Sequence, residues 1–93
     1  MDSQKKLQKQ SDENENTQSK KERFLILHND DYHSFDYVIE ALMLVCEHEQ
    51  EQAVQCTLLT HYKGKCDVKK GSFNYLRPMK QALIAKDLKA TID

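Results

Sequence analysis

The stretch Leu25-Ile26-Leu27-His28-Asn29-Asp30-Asp31-Tyr32 decides how the chain reads. It opens as a short aliphatic run and stops in a cluster of small polar and acidic residues. An apolar run of about four to eight residues ahead of Asn/Asp punctuation is the pattern of a buried strand emptying into a turn. The strand, Arg23–His28, is apolar on both faces, as expected of one covered on two sides or lying centrally in a small sheet. The turn, Asn29–His33, sets an amide and two carboxylates side by side at a strand end, where fixed backbone can aim them. Such a cluster either caps the next helix or holds a cation.

After the turn, Ser34 has the chemistry of an N-cap, with Asp36 placed to complement the helix dipole. Phe35, Val38, Ile39, Leu42, Val45 and Cys46 recur at helical spacing and predict an amphipathic helix to about Glu47. Tyr37, Ala41 and Leu44 add a second apolar stripe, so this helix must be covered on more than one side. His48-Glu49-Gln50-Glu51 reads as a polar break. Glu49–Tyr62 is the second helix, with Ala53, Cys56, Thr57 and Thr60 on one face and Gly64 as its terminator. Lys65–Lys69 alternates as a strand with Cys66 and Val68 inward, and Lys70-Gly71-Ser72 is a turn. Pro78 is tolerated best in a first helical turn. A looser turn through Phe73–Leu76 is therefore expected, then a helix to about Lys86. Leu88, Ala90 and Ile92 alternate in a closing strand. The result is an α+β domain of order β-α-α-β-α-β, three helices on a three-stranded antiparallel sheet.

Only part of the 93-residue chain belongs to that domain. Residues 1–22 hold just Met1 and Leu7 as large apolar side chains, too few to offset the ordering entropy, and are expected to be a flexible polar arm. The arm's five lysines are matched by five acids, unlike a nucleic-acid arm, which is lopsidedly basic. The core domain is then residues 23–93. A net charge of −1 favours neither nucleic acid nor anionic membrane. No apolar stretch approaches the ~18 residues of a membrane span, and no secretory core is visible. Cys46, Cys56 and Cys66 are odd in number and form no C-x-x-C pair, so reduced thiols in a cytoplasmic protein are expected.

Taken alone, Asn29-Asp30-Asp31 is ordinary turn chemistry, and His61, at a helix C-terminus, is an ordinary dipole complement. His28, His33 and Asp30 match no metal-ligand spacing, and the three cysteines fall on inward faces. Neither a metal site nor a cofactor is expected. A small hydrolase or metal-dependent enzyme using Asp30, Asp31 and His61 is one alternative. A structural interaction module of the same layout is another.

In combination, Leu27-His28-Asn29-Asp30-Asp31-Tyr32, the Val-, Glu- and Leu-rich helix, and His61-Tyr62-Lys63-Gly64-Lys65 at this separation resemble the ClpS adaptor family. The resemblance is close over residues 24–69. It implies a non-enzymatic adaptor that binds the free α-amino group and large hydrophobic first residue of N-degron substrates. Such an adaptor delivers those substrates to a Clp AAA+ unfoldase of the ClpA or ClpC kind, docking on its N-terminal domain, and a monomer is expected. Asn29 and Asp30 match the family's amine-binding amide and carboxylate, and His61 matches its histidine; Asp31 supports them. Phe35 and Val38 match pocket positions, Phe35 standing where the family commonly has Met. Thr57 and Thr60 stand where relatives often have Met and Val. The implied first residues are Leu, Phe, Tyr and Trp, and the implied arm is the part the unfoldase engages.

Overall fold

A computed structural model describes residues 21–93. The arm, residues 1–22, therefore lies outside the described residues except for Lys21 and Glu22. The elements are β1 (Arg23–His28), α1 (Phe35–Cys46), α2 (Gln50–Lys63), β2 (Lys65–Gly71), α3 (Phe73–Ala85) and β3 (Lys89–Ile92). The sheet order is β2-β1-β3, antiparallel throughout. The expected class and element order hold. β1 is central, which explains its two apolar faces: Leu25 and Leu27 join the core beneath the helices, while Ile26, on the opposite face, is also buried. The core is completed by Leu42 of α1, Ala53 of α2, Val68 of β2 and Leu76 and Leu83 of α3. Its contributors come from every layer, so no helix folds profitably without the sheet.

Local chemistry sets the element ends. Ser34 caps α1 through its Oγ, which accepts the Tyr37 N–H at 3.1 Å. Gly64 stops α2 in the left-handed region at φ 92°, returning its N–H to the Thr60 carbonyl at 2.9 Å.

Two boundaries differ from expectation. The third helix starts at Phe73 rather than after Leu76, because Ser72 Oγ accepts the Tyr75 N–H and caps it there. Pro78 consequently lies inside the helix. Its missing N–H deprives the Asn74 carbonyl, but both residues are on the exposed face, where water can replace the bond. β2 runs on to Gly71, which pairs with Arg23, so the connection to α3 shrinks to Ser72.

β2 also departs from strict alternation. Leu25 faces Lys69 and Ile26 faces Asp67, leaving Val68 as the extra residue of a bulge. The bulge is used on both sides. Lys69 Nζ donates to the Cys46 carbonyl at 2.8 Å, a cation on the last turn of α1. The Val68 carbonyl accepts from His48 Nε2 at 2.6 Å. His48, expected in a polar break, is thus a core residue at 4% exposure. Its Nδ1 is buried with no partner.

Candidate functional site

The two halves of the expected site come from different elements, and one backbone bond joins them. As β1 ends, the Asn29 N–H donates to the Gly64 carbonyl at 2.9 Å. The end of β1 is thereby fastened to the terminator of α2, one turn from His61.

Asp30 organises the turn that follows. Its Oδ1 accepts the Tyr32 N–H at 2.9 Å and the His33 N–H at 3.0 Å. His33 Nδ1 donates to Oδ2 at 3.1 Å. Burial alone would raise this carboxyl's pKa, but the backbone and side-chain bonds from His33 and Tyr32 outweigh it and hold the pKa below the usual range. Turn chemistry is therefore real at Asp30, while helix capping belongs to Ser34. A carboxylate has about four acceptor positions, so Oδ2 keeps capacity for another donor.

His33 braces the carboxylate from behind. Its ring stacks on Tyr37 with centroids 4.7 Å apart at 15°. The Tyr37 hydroxyl donates to the Lys86 carbonyl at 2.7 Å, tying the turn through α1 to the end of α3. On the other side, His61 sits against Phe35, the first residue of α1, with centroids 5.2 Å apart and rings at 69°.

These groups surround one cleft of about 170 Å³. Every residue singled out from the sequence lines it: Asn29, Asp30, Asp31, Phe35, Val38, Thr57, Thr60 and His61. Leu27, His28, His33 and Leu88 line it too and were not foreseen as site residues. The i, i+3 spacing of Asp30 and His33 was the legible signal for His33. Leu88 offered only its inward place in the closing strand.

The threonines are polar, but their hydroxyl hydrogens are already committed. Thr57 Oγ1 donates to the Ala53 carbonyl and Thr60 Oγ1 to the Cys56 carbonyl, each at 2.8 Å. With each hydroxyl hydrogen given to its own helix, neither threonine has a donor left for the cleft. The cleft thus combines acidic and acceptor groups, Asn29, Asp30, Asp31 and His61, with the apolar side chains of Leu27, Phe35, Val38 and Leu88.

No cysteine lines it. Cys46 and Cys66 are buried and free. Burial pushes the Cys46 thiol up to about 11, despite the neighbouring Lys69 cation. Burial, together with the adjacent Cys56 thiol, pushes Cys66 up to about 12. Such thiols are poor nucleophiles. Among the described residues, no group of three or more His, Cys, Asp or Glu is placed to hold a metal ion.

The fold and site define a class: a small α+β domain with one amphipathic cleft at the end of its sheet. Residues 18–91 match the family model described as "ATP-dependent Clp protease adaptor protein ClpS", and the chain belongs to the ClpS family. It is 46% identical to the ClpS adapter of Shewanella pealeana over 41 residues, 44% of this chain and 40% of that one. To the ClpS adapter of Neisseria meningitidis it is 46% identical over 50 residues, 54% of this chain and 48% of that one. The matched stretch is thus less than half the length of either relative. A solved structure of Agrobacterium tumefaciens ClpS2 bound to L-phenylalaninamide matches with TM-score 0.73. That match covers 80% of this chain and 96% of the other at 21% identity, and is a likeness of fold.

Proposed function

We propose that the cleft receives the first residue of another polypeptide, and that the chain is an adaptor presenting such polypeptides to a Clp protease. The observation that carries this is that Asn29, Asp30 and His61 line a single cleft together with Val38, Thr57 and Thr60. An α-ammonium has three donors and one positive charge. Asn29 Oδ1 accepts one hydrogen, Asp30 Oδ2 a second through a charge-assisted bond, and an unprotonated ring nitrogen of His61 the third. Asp31 adds favourable potential. None of these groups carries out a reaction.

The side chain of the first residue then lies against the apolar side chains of the cleft. A cavity of about 150 Å³ is known to hold benzene, so a cleft of about 170 Å³ suits one aromatic ring or a leucyl group. Phe, Leu, Tyr and Trp are the expected first residues, each adding roughly 1.5–3 kcal/mol by burial. L-Phenylalaninamide, bound by the Agrobacterium relative, combines a free α-amine with a benzyl group. Delivery follows from docking on the N-terminal domain of a ClpA- or ClpC-type unfoldase, with residues 1–22 as the arm engaged at hand-off.

The test is fluorescence anisotropy with three labelled peptides of otherwise equal sequence. One begins with free Phe, one with acetylated Phe and one with free Asp. Only the first should bind. Equal binding of all three would refute the reading.

A further inference from the structure

The outward face of α1 is apolar and acidic at once. Asp36, Glu40, Met43, Leu44 and Glu47 are all exposed. At 3.6 residues per turn these positions fall within about 100° of the helix surface. Leu44 is 67% exposed and Met43 39%, with the three carboxylates around them. Among the described residues none of the three makes an ion pair. The last turn of α1 contains no basic residue, although the helix dipole favours a cation there. Lys69 does reach that turn, but its Nζ is committed to the Cys46 carbonyl. From Asn29 to Tyr62 the chain has seven acids and no Lys or Arg, so neither α1 nor most of α2 supplies a cation to this face.

Cations in a matching pattern stand in residues 1–22. Lys5-Lys6-Leu7-Gln8-Lys9 is the basic block of that segment, and Leu7 is its one large apolar side chain besides Met1. Charge, apolar, charge in this block answers Glu40, Leu44 and Glu47 of α1. The point of attachment suits the contact. Lys69 lies opposite Leu25, two residues into β1, and its Nζ meets the last turn of α1 at 2.8 Å. The end of α1 and the residue where the segment joins the domain are therefore at the same end of the sheet, away from the cleft. From Lys9 to Arg23 the chain can span about 46 Å at about 3.3 Å per residue. The face from Asp36 to Glu47 is only about 16 Å long.

We propose that Lys5–Lys9 docks on the outward face of α1 in its own chain. Leu7 lies against Met43 and Leu44, and the lysines lie among Asp36, Glu40 and Glu47. The acids that follow in the segment, Asp12, Glu13 and Glu15, are repelled by that face and leave the block at its tip to make the contact. Docking stands apart from the amine-binding reading and does not depend on it. Where that reading has residues 1–22 engaged at hand-off, the docked tip is what must first be released.

The experiment follows the full chain by NMR relaxation of its backbone amides. In about 0.01 M salt the Leu7 amide should have an order parameter above about 0.6, the level of flexible backbone, and should lose that order in about 1 M salt. K5E/K6E/K9E should lose it already in low salt and shift the amide signals of Met43 and Leu44. Adding E40K/E47K to that variant reverses both sets of charges and should restore the order. Glu40 and Glu47 are exposed, so the swap leaves the core intact. A Leu7 amide without order in low salt, order that survives K5E/K6E/K9E, or a charge swap that fails to restore it overturns the inference. Order that disappears on dilution also overturns it, by placing the tip on a second copy. None of these outcomes bears on amine binding, which the labelled peptides test separately.

Discussion

Replacing Asp30 with Asn or with Ala should separate its two duties. Ala removes the acceptor for the Tyr32 N–H, the His33 N–H and His33 Nδ1. Tyr32 is exposed, so water can satisfy its N–H. The His33 side chain is only 10% exposed, and its Nδ1–H would be left without a partner. An orphaned buried donor costs about 1–3 kcal/mol. In a domain this small, each kcal/mol lowers the melting temperature by about 4–8 °C. Asn keeps an oxygen for the two backbone N–H groups, and its NH₂ can donate to His33 once the imidazole proton moves to Nε2. The Asn variant should therefore stay within about 1 kcal/mol of the parent. Its affinity should still fall. Losing a hydrogen bond to a charged group costs about 1.5–3 kcal/mol, or about ten- to 150-fold for the Phe-first peptide. Thermal unfolding and anisotropy on the same samples measure both. An Asn variant that binds within twofold of the parent would show that Asp30 serves the turn alone. Acid should reproduce the Ala result. The folded carboxyl's pKa is depressed, so its contribution is present above the unfolded value of about 3.9 and is lost as pH falls through the lower folded value.

Other outcomes follow from the packing. Burial lowers the His48 pKa, against a hydrogen bond to Val68 that raises it. The unfolded chain therefore takes up the proton first, and stability should decline as pH drops below about 6.5. Urea titrations from pH 8 to 5 should show that slope reduced in H48Q, and an unchanged slope would remove His48 as its source. Gly64→Ala meets nothing within 4 Å but keeps φ at 92°, so about 1–2 kcal/mol of backbone strain is expected in chemical denaturation. Gly71→Ala has the opposite cause: its Cβ would lie 2.5 Å from Tyr75 Cδ2, and the penalty should vanish in combination with Tyr75→Ala. Thr57→Val and Thr60→Val should each hold the affinity for a Phe-first peptide within about threefold, because the lost hydroxyl served its own helix. A tenfold loss in either titration would mean that the hydroxyl meets the ligand.

The fold was legible where periodicity is unambiguous. β1 reads as a two-sided strand because Leu25, Ile26 and Leu27 are all apolar, and the central place in the sheet follows. Ser34 and Gly64 announce their caps by residue type. What escaped depends on long-range fit. His48 looks like loop until the Val68 bulge supplies a carbonyl for it, 20 residues away. Pro78 reads as a helix start because local cost says nothing of which face is wet. The candidate site divides the same way. Asn29-Asp30-Asp31 is visible as a polar strand end, but no spacing rule brings it to His61; the family resemblance alone linked them. The threonines were named as pocket residues through the family resemblance, but the commitment of their hydroxyl hydrogens was not legible, since the partners lie on the backbone of their own helix.

The bond from the Asn29 N–H to the Gly64 carbonyl makes that amide a built-in reporter. Separating the two halves of the cleft must break it, so the exchange rate of one backbone hydrogen with solvent counts how often the cleft comes apart. An occupant that touches both halves closes that opening route, and its presence becomes readable in the exchange of this single backbone amide. The rim of the cleft is thus also its hinge pin, and the time it spends open is a property of the empty protein.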